Sequence, residues 1–182
     1  RGRVVLFGGW NGPVYLGDTW EWDGTSWSQR TPATAPPARY GHAMAYDAGR
    51  GRVVLFGGAG SSGDLGDTWE WDGTSWTPRT PATAPPARNS HAMAYDAGRG
   101  RVVLFGGGSG LYLGDTWEWD GTSWSPRTPA TAPPARYGLA MAYDAGRGRV
   151  VLFGGFNGGY LGDTWEWDGT TWTQRTPATA PP

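Results

Sequence analysis

The 182-residue chain contains no Cys, and all 15 of its basic side chains are Arg, so Lys is absent too. Without Cys there is no disulfide, no thiolate metal site and no thiol nucleophile, while the redox compartment is left open. Against 16 carboxylates the Arg residues leave a net charge of −1, which argues against a nucleic-acid footprint or a polybasic membrane patch. No apolar run approaches the ~20 residues that span a bilayer as a helix, and no charged-then-apolar leader opens the sequence. The expectation is a chain without membrane insertion and without a nucleic-acid partner. An extracellular or cell-surface setting is compatible with this composition but not fixed by it. The Leu, Glu and Lys that build helices are scarce relative to turn formers, so a helical fold is excluded as well.

What is present in abundance is 32 Gly, 15 Pro and 13 Trp, a mixture of turn residues and large flat side chains that predicts an all-β protein. The stretch Leu16 to Thr25 returns at Leu65, Leu113 and Leu161, the last followed by Thr171 where the other copies have Ser. Aligning Arg1, Arg50, Arg99 and Arg147 gives repeats 49, 49 and 48 residues apart. Self-similarity at this period marks an array in which each unit buries its apolar face against the next. The units predicted are 1–38, as a partial blade, then 39–87, 88–135 and 136–182, forming a single array over 1–182.

Four strands are predicted per unit. His42 to Tyr46 alternates small and large residues, whereas Val53 to Phe56 is apolar throughout, as in a strand covered on both faces, and stops at Gly57-Gly58. In Asp67 to Trp71 the period of two sets Trp69 and Trp71 on a core face and Thr68 and Glu70 on a polar one. A fourth, more polar strand starts around Trp76 after the Asp72-Gly73 turn signal. The segment Thr80 to Pro86 is too rich in Pro for helix or ladder and reads as a crossover between units. Four-stranded antiparallel units in a row predict the blades of a β-propeller.

The order Arg-x-x-His, Phe-Gly-Gly, Asp-x-Trp-x-Trp-Asp and then Trp resembles the kelch repeat, over almost the whole chain. The Gly pair that closes the second strand in kelch blades is matched at Gly8-Gly9, Gly57-Gly58, Gly106-Gly107 and Gly154-Gly155. The Trp that opens the fourth is matched at Trp27, Trp76, Trp124 and Trp172. Trp22, Trp71, Trp119 and Trp167 stand where kelch repeats often have Tyr. The resemblance implies a propeller of kelch type, with about four blades in this chain and rings of about six or seven in the family. Only three innermost strands can be found, beginning at His42, His91 and Leu139, so the first blade is expected to lack one. Further blades are expected from a longer chain or from other copies of the same one, because open Trp-rich flanks invite association. The Arg-only, Ala-, Gly- and Pro-rich composition looks like that of a bacterial protein.

Comparing the repeats with one another shows near-identity except in two patches. One is the loop after the Gly pair, carrying Trp10, Asn11 and Tyr15, then Asp64, then Tyr112, then Phe156, Asn157 and Tyr160. The other is the lead-in to the innermost strand, carrying Tyr40 and His42, then Asn89 and His91, then Tyr137. Antiparallel topology puts both at the same end of the blades, near the channel. Loops on a rigid scaffold are where binding resides, and aromatics beside short polar groups suit a peptide or a sugar. These thirteen residues are the candidate ligand-binding set. The expected function is a non-enzymatic binding or scaffolding module. The alternatives are a propeller lectin, or an engineered or recently amplified repeat without a specific ligand that forms a ring by oligomerisation.

Catalytic and metal sites are not expected, nor is a cofactor. The carboxylate pair Glu21 and Asp23 recurs in every unit, unlike a catalytic centre, and each such Asp precedes a Gly where its side chain can bond the turn backbone. With Leu139 at the third position, His42 and His91 cannot make a symmetric imidazole ring for a metal. The run Gly106 to Gly110 lacks the Lys-Ser/Thr ending and the helix of a phosphate loop.

Overall fold

A computed structural model of the chain describes residues 2–179 and 181. Arg1, at which the first repeat begins, and Ala180 and Pro182 of the closing Pro-rich segment lie outside the described residues. The first blade has three strands, β1 (Val4–Trp10), β2 (Tyr15–Trp22) and β3 (Trp27–Arg30), paired in that order. The second begins with β4 (Ala43–Asp47) and β5 (Arg52–Phe56). Its loop then forms a small two-stranded ribbon, β6 (Ala59–Gly60) with β7 (Gly63–Asp64). It ends with β8 (Thr68–Trp71) and β9 (Trp76–Arg79).

The third blade is β10 (Ala92–Asp96), β11 (Arg101–Phe105), β12 (Thr116–Trp119) and β13 (Trp124–Arg127). The fourth is β14 (Ala140–Asp144), β15 (Arg149–Phe153), β16 (Thr164–Trp167) and β17 (Trp172–Arg175). Every pairing within a blade is antiparallel, in the order innermost to outermost. The innermost strands β4, β10 and β14 lie side by side. Among the described residues no helix is long and apolar enough to cross a membrane.

The second strands are buried as their continuous apolar sequence predicts, with Val54, Leu55 and Phe56 fully covered. Their two faces serve different neighbours. Val54 and Phe56 pack forward with Ala45 onto Met93, Val102, Leu104, Trp119 and Trp124 of the third blade. Leu55 packs backward with Trp69, Trp71 and Trp76 onto Phe7 of the first. The same division recurs between the third and fourth blades, where Ala94, Val103 and Phe105 meet Val150, Leu152, Trp165, Trp167 and Trp172.

One expectation about the third strand is corrected. Thr68 and Glu70 do not form a solvent-facing polar side, because all four residues of β8 are buried. The polar residues face the next blade and accept its indole N–H groups. Thr68 Oγ1 takes Trp124 Nε1 at 2.9 Å, and Glu70 Oε1 takes Trp119 Nε1 at 3.1 Å. Thr19 and Glu21 do the same for Trp76 and Trp71, and Thr116 and Glu118 for Trp172 and Trp167. A buried carboxylate persists there because each is also held by Arg: Glu70 by Arg79 at 2.6 Å and by Arg50 at 2.6 Å.

The outer turns differ slightly from a two-residue Asp-Gly hairpin. Trp71 faces Trp76 across four intervening residues, and Asp72 Oδ1 accepts the backbone N–H groups of Thr74 and Ser75, each at 2.8 Å. That occupation of the Asp side chain, repeated at Asp23, Asp120 and Asp168, accounts for the recurring carboxylate beside each Gly.

Candidate functional site

Each lead-in to an innermost strand stitches two blades together. The Arg39 carbonyl accepts from Gly9 N of the first blade, and Arg39 N donates to Leu16 O. Tyr40 pairs by its backbone with Ala59 in the loop of its own blade. The Arg39 side chain, fully buried, forks onto Asp67 at 2.6 and 2.7 Å and donates further to the Gly57 and Pro37 carbonyls. Arg88 on Asp115 and Arg136 on Asp163 repeat the clamp. Burial alone would raise the Asp67 and Asp115 carboxyls, but hydrogen bonds from their Arg partners and from Trp69 and Trp117 hold them below the usual carboxylate range. The Gly pair allows this close stacking: Gly58 has φ +100°, and a Cβ on it would lie 2.8 Å from Tyr40 O.

On this fixed base the two varied patches meet, as antiparallel topology requires. At the first seam Tyr40 stacks on Tyr15 with ring centroids 5.7 Å apart and planes at 14°, and Trp10 lies 5.8 Å from Tyr40. At the third seam Tyr137 contacts Tyr112 and Phe156, each at 5.6 Å, and Tyr160 leans on Phe156 at 5.4 Å. At the middle seam Asn89 takes the place of the Tyr, and its Nδ2 donates to Asp64 Oδ1 at 2.6 Å. Ser90 Oγ donates to Asn89 Oδ1 at 2.9 Å. A polar joint thus separates two aromatic patches. A shallow depression of about 200 Å³ lies beside the joint, lined by Asn89, Gly108, Gly110, Leu111, Tyr112 and Tyr137.

The thirteen candidate residues do not all share the surface. Trp10, Tyr40, Tyr112 and Tyr160 are exposed, and Tyr160 is 94% accessible. Tyr15, Asp64, Asn89, Tyr137, Phe156 and Asn157 are half-buried beneath or between them. Asn11 is exposed but spends its Oδ1 on the Val14 N–H, shaping the loop. His91 is buried, packed edge-on against Phe56, and His42 lies likewise on Phe7. The histidines support the lead-ins from below. Burial, and then the nearby Arg39 charge, lowers His42 to about 4. Burial followed by the charges of Arg88 and His42 lowers His91 to about 3.

Sequence comparison passed over three residues of this face. Leu111 is 78% exposed and Val14 52%; both lie in the varied loops, which was the available signal. Ser90 stands where the other lead-ins have Gly41 and Gly138, and it adopts φ +55°, a left-handed conformation unusual for a residue with a side chain. Its backbone accounts for the position: Ser90 N donates to Gly41 O, and Gly138 N donates to Ser90 O, so the three lead-ins are chained around the channel mouth.

The face offers aromatic area, one free-standing polar joint and a single charged residue, Asp64, in all the varied loops. The carboxylates repeated along the blades are engaged in clamps, seams and turns. Such a surface can bind, by stacking and apolar contact, a ligand laid across the blade ends.

No curated protein matches the chain. A family model described as the KLHDC2/KLHL20/DRC7 Kelch-repeats domain matches residues 1–125, more than half of the chain. With its repeated antiparallel sheets closed by Gly pairs, the chain belongs to the Kelch-repeat family.

Proposed function

We propose that the chain is a non-enzymatic protein-binding module whose ligand lies across the loop face, anchored on the aromatic patches at the first and third seams. The observation that carries this reading is the placement of variation. In a repeat otherwise held nearly constant, three of the exposed aromatic residues, Trp10, Tyr112 and Tyr160, fall in the varied loops of one face. Large aromatic groups on a rigid support are the side chains that dominate protein–protein recognition. With Asp64 as the one charge, the face favours an apolar or basic segment over an acidic one. A glycan is the second reading, favoured by the open indole of Trp10 beside the stacked pair Tyr15–Tyr40.

Probing a displayed peptide library and a glycan array with the same protein separates the two. The expected result is selection of peptides whose affinity falls at least about tenfold in a Trp10→Ala/Tyr112→Ala/Tyr160→Ala variant. Unchanged affinity in that variant would remove the ligand from this face. Glycans alone responding would give the second reading, and silence in both would leave an amplified repeat without a specific ligand.

A further inference from the structure

The three Asn of the chain, Asn11, Asn89 and Asn157, all lie in the varied loops and lead-ins of one face, and Asn11 and Asn157 are each followed by Gly. An Asn side chain is open to attack by the backbone nitrogen of the next residue, and a Gly there leaves the approach unshielded because it has no Cβ. Two groups decide whether the attack takes place. The Asn carboxamide must be free to turn toward the nitrogen, and the nitrogen must not be spent on a hydrogen bond.

The structure holds the three sites differently. At Asn89 both groups are engaged: Nδ2 donates to Asp64 Oδ1 at 2.6 Å, Oδ1 accepts from Ser90 Oγ at 2.9 Å, and Ser90 N donates to Gly41 O at 2.7 Å. At Asn11 the carboxamide is engaged, its Oδ1 accepting the Val14 N–H at 3.1 Å. At Asn157 neither group is. Among the described residues no group bonds to its side chain, and Gly158 N donates to no acceptor. Gly158 is exposed, has φ +106°, and a Cβ on it would meet no atom within 4 Å. The loop tips at Gly63 and Gly110 are open in the same way although a blade follows each, so the openness belongs to the loop and not to the place of the fourth blade. The turn itself is closed by backbone, Asn157 N donating to Gly159 O at 3.2 Å, just as Ser109 N donates to Leu111 O at 3.1 Å in the third blade. The Asn157 carboxamide is therefore not needed to shape its loop.

We propose that Asn157 is a self-modification site at which the loop face acquires a carboxylate. Gly158 N loses its proton to solvent base and bonds to Asn157 Cγ, the Cγ–Nδ2 bond breaks, and ammonia leaves with a proton returned from water. Water then adds across either C–N bond of the cyclic imide, giving Asp or isoaspartate. One water is consumed and one ammonia released, and loss of the ammonia to bulk solvent makes the change one-way. In varied loops whose one charged residue is Asp64, the product sets a second negative charge in the loop that carries Phe156 and Tyr160. The third-seam patch thereby turns from neutral to anionic, which shifts its preference further toward basic partners. The modification itself does not depend on what the face binds.

The test is ageing of the 182-residue protein at mildly alkaline pH, folded and in urea, followed by cleavage after Arg, which puts Asn11, Asn89 and Asn157 on the separate peptides 4–30, 89–99 and 150–175. Mass spectrometry of each peptide reads the conversion to the acid. In urea the two Asn-Gly sites are expected to convert at comparable rates. In the folded protein Asn157 should keep most of that rate, Asn11 should slow severalfold and Asn89 should stay intact. Asp64→Ala should leave Asn89 intact as well, because Ser90 N remains on Gly41 O. An acidic form should build up on ion exchange and be missing from an Asn157→Ser variant, which carries the residue that the third blade has at Ser109. The proposal is overturned if folding slows Asn157 as much as Asn11, if Asn11 converts faster than Asn157, or if the acidic form persists undiminished in Asn157→Ser.

Discussion

His91 shows how one buried side chain can set the acid tolerance of the fold. Neither of its ring nitrogens has a hydrogen-bond partner, and the ring sits in an apolar seam beside the Arg88 charge. The folded state therefore refuses a proton that the unfolded chain accepts near the ordinary value of 6.5. Stability from a depressed His is complete above pH 6.5 and is lost as the pH falls toward the folded values, about 4 for His42 and about 3 for His91. Between pH 6.5 and 4.5 each His should cost about 2 kcal/mol, before the depressed carboxylates begin to titrate. Leu139 fills the third such position and packs within the apolar seam, so a His42→Leu/His91→Leu variant should fold. Urea unfolding at a series of pH values should show a slope for the parent protein and a flat response for the variant over this window. A flat response in the parent would mean that water or a partner group serves the imidazoles. From sequence the two His were visible at a varied position of the lead-ins, where the third copy has Leu139; that they lie under the face depends on the ring packing against Phe7 and Phe56.

At the scale of elements, what joins strands within and between blades is a set of Arg–carboxylate clamps that the sequence announced only as a balance of charges. Arg and carboxylates occur in matched numbers per unit, but Arg88 finds Asp115 from 27 residues away, beyond the reach of local spacing rules. The strand boundaries and the Gly-pair stops of the last three blades were legible because they follow from local pattern; in the first blade β1 runs on through Gly8-Gly9 to Trp10, with a bulge between Phe7 and Gly9. The forward and backward assignment of Thr68 and Glu70 was not, because a period of two says only that the faces differ. Replacing Arg88 by Leu would strip a forked partner from Asp115 and a donor from the Gly106 and Pro86 carbonyls. The expected cost is about 3 kcal/mol, at the lower end for a buried pair because the Asp115 side chain keeps an edge in water. Arg88→Lys restores charge without the planar fork and should recover only part of that loss. A change below about 1 kcal/mol in chemical denaturation would show that the clamp positions the lead-in without stabilising it.

Across the whole molecule, stability is built at seams, and the blades do not share them equally. The second and third blades each lie between two neighbours, whereas the first presents Val4, Leu6 and Trp27 to solvent and the fourth leaves Glu166 without an indole donor among the described residues. The residues themselves are nearly constant along the chain, so no propensity or composition argument could rank the blades; position in the array alone does so. Each interior blade gains two sets of Trp-to-Glu and Trp-to-Thr bonds and two apolar interfaces, and each terminal blade gains one. Repeat arrays with such nearest-neighbour coupling open from their ends. Native-state hydrogen exchange should therefore find the slowest amides in β5, β8, β11 and β12, and faster exchange in β1 and β14 to β17. Uniform protection from β1 to β17 would show instead that the four blades unfold as one cooperative unit, with the seams too strong to open singly.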